Sequence, residues 1–374
     1  MEGGEMNRPS ASGLDGVVVA ETELSDVDGE AGRLVIRGYE VEELVERATF
    51  EDVCGLLWNG AWPSAPEREV LRAALAQARQ DAFALLPSLG NALGAADGME
   101  SLRAATGHVP ASANTRDGAV RLTGALSVFA AAWARGRTGQ PPVAPRPALS
   151  HAADYLQMLS GAVPEPPRVK ALDAYLCCVV DHGMNASTFT ARVVASTGSD
   201  LVSAIVAAIG ALKGPLHGGA PGPVLDMLDA IGDPARARAW LEAELSAGRR
   251  LMGMGHRIYR VRDPRAAALE RAASVLESSE AVTDRLKLAR AIEREAERLL
   301  AERHPERRLR ANVEFYTAVL LDAIGVPRTL FSATFAASRV VGWCAHVDEQ
   351  RRVGRLIRPA STYVGPAARV TPAE

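Results

Sequence analysis

Three of the seven histidines stand in company that suits chemistry. His217 lies in Gly214-Pro215-Leu216-His217-Gly218-Gly219, between one broken helix and a second predicted over Pro221–Ile231. A ring at a helix N-terminus feels the positive end of the dipole, which disfavours imidazolium. His217 is therefore expected to be neutral and able to donate to a carbonyl, although the same run also reads as an ordinary glycine-rich turn. His256 lies in Met252-Gly253-Met254-Gly255-His256, followed closely by Arg257, Arg260, Arg262 and Arg265. Glycines admit close backbone approach and guanidiniums grip carboxylate or phosphate in a fork, so an anionic ligand is expected. Arginines paired with neighbouring glutamates on a solvated surface are the competing reading. The run has no third glycine and follows no strand, so it is not a dinucleotide fingerprint. His182 and Asn185, three residues apart, fall on one face of a predicted helix start, which suits a satisfied core histidine equally well.

One acid stands out. Glu314, in Asn312-Val313-Glu314-Phe315-Tyr316, is a lone carboxylate just inside an otherwise apolar helix start. Burial beside aromatic rings would raise its pKa and make it a stronger base, whereas the plain alternative is a glutamate stabilising the helix dipole. Arg339 sits within an apolar helix and Arg358 within Leu356-Ile357-Arg358-Pro359; a guanidinium on an apolar face needs an anionic partner. The sequence contains no HExxH, no paired CxxC, no GxSxG and no GxxxxGK[ST]. Zinc hydrolysis, nucleophile-elbow chemistry and a phosphate loop therefore lose their usual support, and no metal site is expected.

These residues must be positioned by helices. Apolar residues recur with helical period through Val41–Val45, Val53–Leu57 and Val70–Leu86, then through Val169–Val180, Ala186–Ser196 and Asp200–Leu212, the last with Ser199 as its expected N-cap. Two β-branched segments, Gly16–Glu21 and Arg33–Arg37, flank the turn-like Asp26-Val27-Asp28-Gly29 and predict a small strand pair. The proline-rich runs Gly136–Pro147 and Pro164–Pro167 are predicted loops. Polarity rises from Pro221 and apolar periodicity returns at Val313–Ile324 and Thr329–Val347, so a smaller, more solvated domain is expected before the chain rejoins the first core. The 374 residues carry a net charge of −3, with lysine only at Lys170, Lys213 and Lys287. That balance argues against a nucleic-acid binder held by bulk electrostatics. The longest uncharged apolar stretches run to about a dozen residues, short of the roughly 20 that span a bilayer, and Met1–Ser12 lacks the apolar core of a secretory signal. Cys54, Cys177, Cys178 and Cys344 show no ligand spacing and are expected as reduced core residues of a cytoplasmic protein.

Taken in order, the segments Val27–Glu30, Asp181–Phe189, Gly214–Gly219, Met252–Arg265, Asn312–Tyr316 and Leu356–Pro359 make the chain similar to the citrate synthase family, from about Gly13 to Gly365. The resemblance implies an all-α fold of two domains with a short N-terminal β hairpin. The large domain would comprise 1–217 plus 326–374 and the small one 218–325, closing over the substrates of a homodimer. It further implies a Claisen condensation of acetyl-CoA with oxaloacetate, then thioester hydrolysis, with CoA as co-substrate and no tightly bound cofactor. Carried over by motif, Glu314 would remove a methyl proton from acetyl-CoA, His217 would donate to the thioester carbonyl, and His256 would polarise the oxaloacetate ketone. His182, Arg265, Arg339 and Arg358 would hold oxaloacetate, with Arg358 reaching in from the partner subunit. Arg260 would face CoA, with Met254, Gly255 and Asn312 on the same side.

The chain departs from the family pattern at Glu314, where Asp is usual, and at Val179, where His is common. It departs again at Pro221-Gly222 in place of Asn-Glu and at Asp97-Gly98-Met99 in place of His-Pro-Met. A carboxylate moved by one methylene matters, because a 1 Å misplacement costs about 100-fold. Three readings follow: a citrate synthase, a 2-methylcitrate synthase using propionyl-CoA, and a non-catalytic paralogue that binds CoA or a dicarboxylate.

Overall fold

Why this chain is almost all helix is visible in its caps. In the computed structural model, which describes residues 12–14, 16–218, 221–256, 258–276 and 280–368, polar side chains begin helix after helix. Thr49 and Asp52 form a reciprocal capping box, as do Ser64 and Glu67, and Asp97, Asn114, Ser150, Asn185, Asp200 and Asn312 each accept from a backbone N–H of the first turn. In chain order the helices are α1 (Val41–Arg47), α2 (Phe50–Asn59), α3 (Ala65–Leu85), α4 (Gly98–Thr106), α5 (Thr115–Arg137), α6 (His151–Ser160), α7 (Pro166–Val179) and α8 (Ala186–Ser196). They continue with α9 (Leu201–Leu212), α10 (Pro221–Ile231), α11 (Ala237–Ser246), α12 (Pro264–Ser274), α13 (Glu280–Arg303), α14 (Val313–Ala323) and α15 (Phe331–Val353).

Two expectations shift by short distances. Asp200, not Ser199, caps α9, its carboxylate accepting from Ser203 N at 2.9 Å. The loop predicted over Pro164–Pro167 ends early because Pro166 opens α7, where a missing N–H is not needed.

Before the helices lies one antiparallel sheet of three strands, β1 (Ser25–Asp28), β2 (Arg33–Ile36) and β3 (Tyr39–Glu40), in that order, with Asp28 opposite Arg33. The expected hairpin therefore forms, but Gly16–Glu21 is not one of its strands and Asp26–Asp28 is strand rather than turn. The reason is local: Asp28 Oδ1 accepts from Glu30 N at 3.0 Å and Ala31 N at 2.9 Å, so the chain reverses after Asp28.

Helix α15 is buried on nearly every side up to its charged last turns, which is why its apolar residues are not confined to one face. It runs along α5, α7, α8 and α9, and α12 and α14 pack against each other and against α7. One apolar cluster continues from Leu24 to Val347 across all of these elements. The cysteines Cys54, Cys177, Cys178 and Cys344 are free and buried in it. Among the described residues, no helix is long and apolar enough to cross a membrane.

Candidate active site

The site grows from four places where helices start or end. Asp181–Asn185 is the loop between α7 and α8, so His182 and Asn185 do not share a helix face as expected; Asn185 is instead the N-cap of α8, accepting from Thr188 N at 3.1 Å. The second place is the 213–218 turn carrying His217. The third is the 252–262 loop carrying His256, and the fourth is the first turn of α14, carrying Glu314. Helix α15 supplies Arg339 from beneath.

His217 is held by α8. Ser187 donates its backbone N–H to His217 Nε2 at 3.3 Å, and Ser187 Oγ lies 2.8 Å from the same nitrogen while accepting from Trp343 Nε1 at 3.1 Å. Nε2 is therefore an acceptor and the ring proton resides on Nδ1. Burial first, then the charge of Arg339, lowers the His217 pKa to about 4. The ring is neutral as expected, but the helix N-terminus it meets is that of α8, not α10.

His256 is fixed in the opposite sense. Its Nδ1 accepts from Ile258 N and Tyr259 N, both at 3.1 Å, which leaves the proton on Nε2. That Nε2 lies 3.4 Å from Arg265 Nη2. Two donors facing each other do not bond, so the pair is arranged to receive an acceptor oxygen. Burial, and then Arg265, lowers the His256 pKa to about 4. Tyr259 OH meets His182 Nε2 at 3.1 Å, and the His182 and His256 rings stand edge to face with centroids 5.7 Å apart. Burial, reinforced by Arg265, Arg339 and His256, holds the His182 pKa well below that of free histidine.

Two guanidiniums lie under these rings, and they differ. Arg265 is bound to Asp263 through Nε at 3.0 Å and Nη2 at 2.8 Å, with both residues buried. Arg339 is 1% exposed, and its Nε donates to the Val179 carbonyl at 2.6 Å, yet its buried Nη2 has no hydrogen-bond partner among the described residues. An unpaired buried donor of this kind costs stability and is an invitation to an anion. Burial, against the attraction of Asp181, lowers the Arg339 pKa to about 10. Residue 179 contributes through its carbonyl, so Val where His is common leaves this contact intact.

Glu314 opens α14. Its N–H donates to Asn312 Oδ1 at 3.0 Å, while Asn312 Nδ2 donates to the Gly255 carbonyl at 2.8 Å, so Asn312 fastens the Glu314 helix to the His256 loop. Gly255 N donates to Arg310 O at 2.7 Å and Asn312 N to Gly253 O at 2.9 Å, with Met254 bridged to Ala311 between them. The Glu314 carboxylate has no hydrogen-bond partner among the described residues. A first-turn glutamate is expected to be stabilised as an anion, but burial outweighs that and the opposing charge of Arg265, raising its pKa to about 7. If Glu314 is the base, kcat/KM falls about tenfold per pH unit below about pH 7. The two imidazoles, at about 4, add no second limb there. A pH–rate profile from pH 5 to 9 checks this.

Not every expected residue joins the cluster. Arg358 is exposed on the 354–368 segment, which lies outside helix and strand. Arg260 is exposed at the rim, 3.9 Å from Glu30. Arg262 follows the surface reading, bound to Glu270 and Glu293 at 2.7 Å each. Arg257 and Gly219 lie outside the described residues. Missed by the sequence reading were Tyr259, Ser187, Trp343, Asp263 and Asp181. Asp181 accepts from His346 Nε2 at 3.2 Å, His346 Nδ1 being turned to Arg192 at 3.1 Å. Only Asp263, just before Pro264, carried a sequence signal, that of a helix cap.

The chain is similar to known proteins along nearly its whole length. The family model "Citrate synthase, C-terminal domain" matches residues 13–360. Citrate synthase of Haloferax volcanii is 39% identical, covering 97% of this chain and 96% of that protein. The 2-methylcitrate synthase of Mycobacterium tuberculosis is 38% identical, covering 96% and 92%. Among solved structures, the ternary complex of carboxymethyl coenzyme A and oxaloacetate with citrate synthase from Thermoplasma acidophilum superposes with a TM-score of 0.86. It is 29% identical and covers 96% of this chain and 97% of that one.

Proposed function

The chain belongs to the citrate synthase family, and we propose that it condenses acetyl-CoA with oxaloacetate and hydrolyses the resulting thioester to citrate and CoA. It is an enzyme of the acyltransferase type. The observation that carries the reading is Glu314: a carboxylate with no hydrogen-bond partner among the described residues and a pKa raised to about 7, electrostatically coupled to Arg265. An α-proton of a thioester is barely acidic, so a carboxylate removes it only where charge developing on oxygen meets fixed donors in a dry site. His217 Nδ1–H is the donor for the thioester oxygen. His256 Nε2–H, beside Arg265, is the donor for the ketone oxygen, and it supplies the proton as the carbon–carbon bond forms. His182, Arg265 and the unpaired Arg339 Nη2 hold the dicarboxylate. None of these steps needs a metal or a tightly bound cofactor.

In this reading CoA lies against Met254 and Gly255, with Arg260 facing its phosphates and Asn312 acting through Gly255. Residues 218–325 form the lobe that closes, and Arg358 crosses from the partner subunit of a homodimer. Four reduced cysteines suit the cytoplasm, where the product would enter the tricarboxylic acid cycle.

The similarity to a 2-methylcitrate synthase favours one second reading, in which propionyl-CoA is the thioester. A hydrophobic pocket discriminates one methylene by only about 1–3 kcal/mol. Free thiol released from each thioester with oxaloacetate separates the cases. Faster release from acetyl-CoA is the expected result, and faster release from propionyl-CoA selects the second reading. Release from neither, by folded protein that binds CoA, overturns both in favour of a binding paralogue.

A further inference from the structure

Between them, the two oxaloacetate histidines sit on loops some seventy residues apart in the chain, and a third element touches both. Ser25, at the start of β1, donates its hydroxyl to Asp181 Oδ2 at 2.5 Å and accepts from Gly183 N at 2.9 Å. It thereby grips both flanks of His182. Val27, two residues on, lies against Gly183, where an added Cβ would come within 3.3 Å of its Cγ2. At the far end of the same strand the turn reaches the other loop. The Gly29 carbonyl accepts from Arg260 N at 2.9 Å. A Cβ at Gly29 would sit 2.4 Å from the Ile258 carbonyl oxygen, and one at Gly32, whose φ is +66°, would sit 2.3 Å from Val261 Cγ2. Ile258 and Tyr259 are the residues whose N–H groups set the His256 tautomer, and Tyr259 OH meets His182.

We propose that the β1–β2 hairpin is a clasp that holds the His182 and His256 loops in register, and that Ser25 and Gly29 are positioning residues for oxaloacetate. The proposal rests on the reading that this site takes oxaloacetate. The fit is backbone against backbone at Gly29, so no side chain larger than hydrogen is accommodated without moving the loop that carries His256. Ser25 acts differently, by supplying one hydroxyl that satisfies a buried carboxylate and a loop N–H together. Neither residue touches the space between Arg265, Arg339 and His256, so each acts only through the loops it holds. Ser25 reaches only the His182 loop, on the oxaloacetate half of the site, whereas Gly29 meets Arg260 on the loop that carries His256.

The test is oxaloacetate binding by calorimetry and steady-state kinetics on the full chain with Ser25→Ala, Ser25→Thr and Gly29→Ala. Arg33→Ala, on the exposed side of the same hairpin, is the control. Ser25→Ala and Gly29→Ala are expected to raise the oxaloacetate Kd and KM about tenfold, and in Ser25→Ala, which meets only the His182 loop, the acyl-CoA KM stays within twofold. Ser25→Thr, which keeps the hydroxyl, and Arg33→Ala are expected to bind like the unaltered protein. If Gly29→Ala fails to fold, the Ser25→Ala and Ser25→Thr pair decides alone. Unchanged oxaloacetate affinity in Ser25→Ala, an equal rise in both KM values, or no rescue by Ser25→Thr overturns the clasp. Failure of the unaltered protein to bind oxaloacetate would instead overturn the functional reading beneath it.

Discussion

Glu314→Gln is expected to lower kcat about 1,000-fold while oxaloacetate Kd changes less than twofold, because it removes the proton acceptor and leaves the anion-binding guanidiniums in place. The same change is expected to stabilise the protein at alkaline pH. The folded-state pKa of Glu314 is raised from 4.5 to about 7, so the folded protein holds this proton more tightly than the unfolded chain does. The stability this contributes is fully present below about pH 4.5 and is lost as pH rises through about 7. At pH 8 the ionised, largely buried carboxylate costs on the order of 1–3 kcal/mol, which glutamine does not incur. Glu314→Gln should therefore melt higher than the unaltered protein at pH 8 and level with it at pH 4.5. Thermal melts at the two pH values, alongside kcat, check the pair of effects. Full turnover in Glu314→Gln would remove the residue from its role.

Arg339→Met is expected to separate binding from stability in the same way. The guanidinium is buried, spends Nε on one carbonyl and, among the described residues, leaves Nη2 without a hydrogen bond, so the ligand-free protein compensates its charge only in part, through Asp181 and the Phe335 ring. A pKa lowered from 12.5 to about 10 corresponds to a cost on the order of 3 kcal/mol at neutral pH. Methionine fills the space with no charge to desolvate, so the melting temperature should not fall. Oxaloacetate affinity should fall about 100-fold or more, the usual consequence of removing one partner from a buried charged pair. Calorimetry and a thermal melt on one sample read both outcomes. A variant that melts lower and binds oxaloacetate normally would show that Arg339 is a structural cation.

Much of the helical framework was legible in the sequence because apolar period and capping residues act locally. The break at Gly214-Pro215 ends α9 as expected, while its cap falls one residue on from Ser199, at Asp200. The hairpin was legible as a hairpin but not in its register, since β-branched content at Gly16–Glu21 resembled a strand and only the Asp28 side chain decides where the chain turns. His217 was legible as a neutral ring, but its cause was misplaced: the helix that meets it, α8, starts thirty residues earlier. The His217 tautomer depends on the Ser187 N–H brought in by packing, and that of His256 on two N–H groups of its own folded loop, neither of which the spacing encodes. Tyr259 and Trp343 were illegible for a related reason, because an aromatic residue at helical or loop spacing usually means core. Arg358 was singled out by its motif, and in the single chain it is exposed.

The central claim is that Glu314 takes a proton from the carbon next to a thioester while neutral His217 steadies the oxygen. Proton NMR of acetyl-CoA in deuterium oxide reads this directly, with the oxaloacetate site filled by a dicarboxylate that lacks the ketone, so that condensation cannot follow. The account expects the methyl protons to exchange for deuterium with the unaltered protein and not with Glu314→Gln. Equal exchange by both proteins would contradict it.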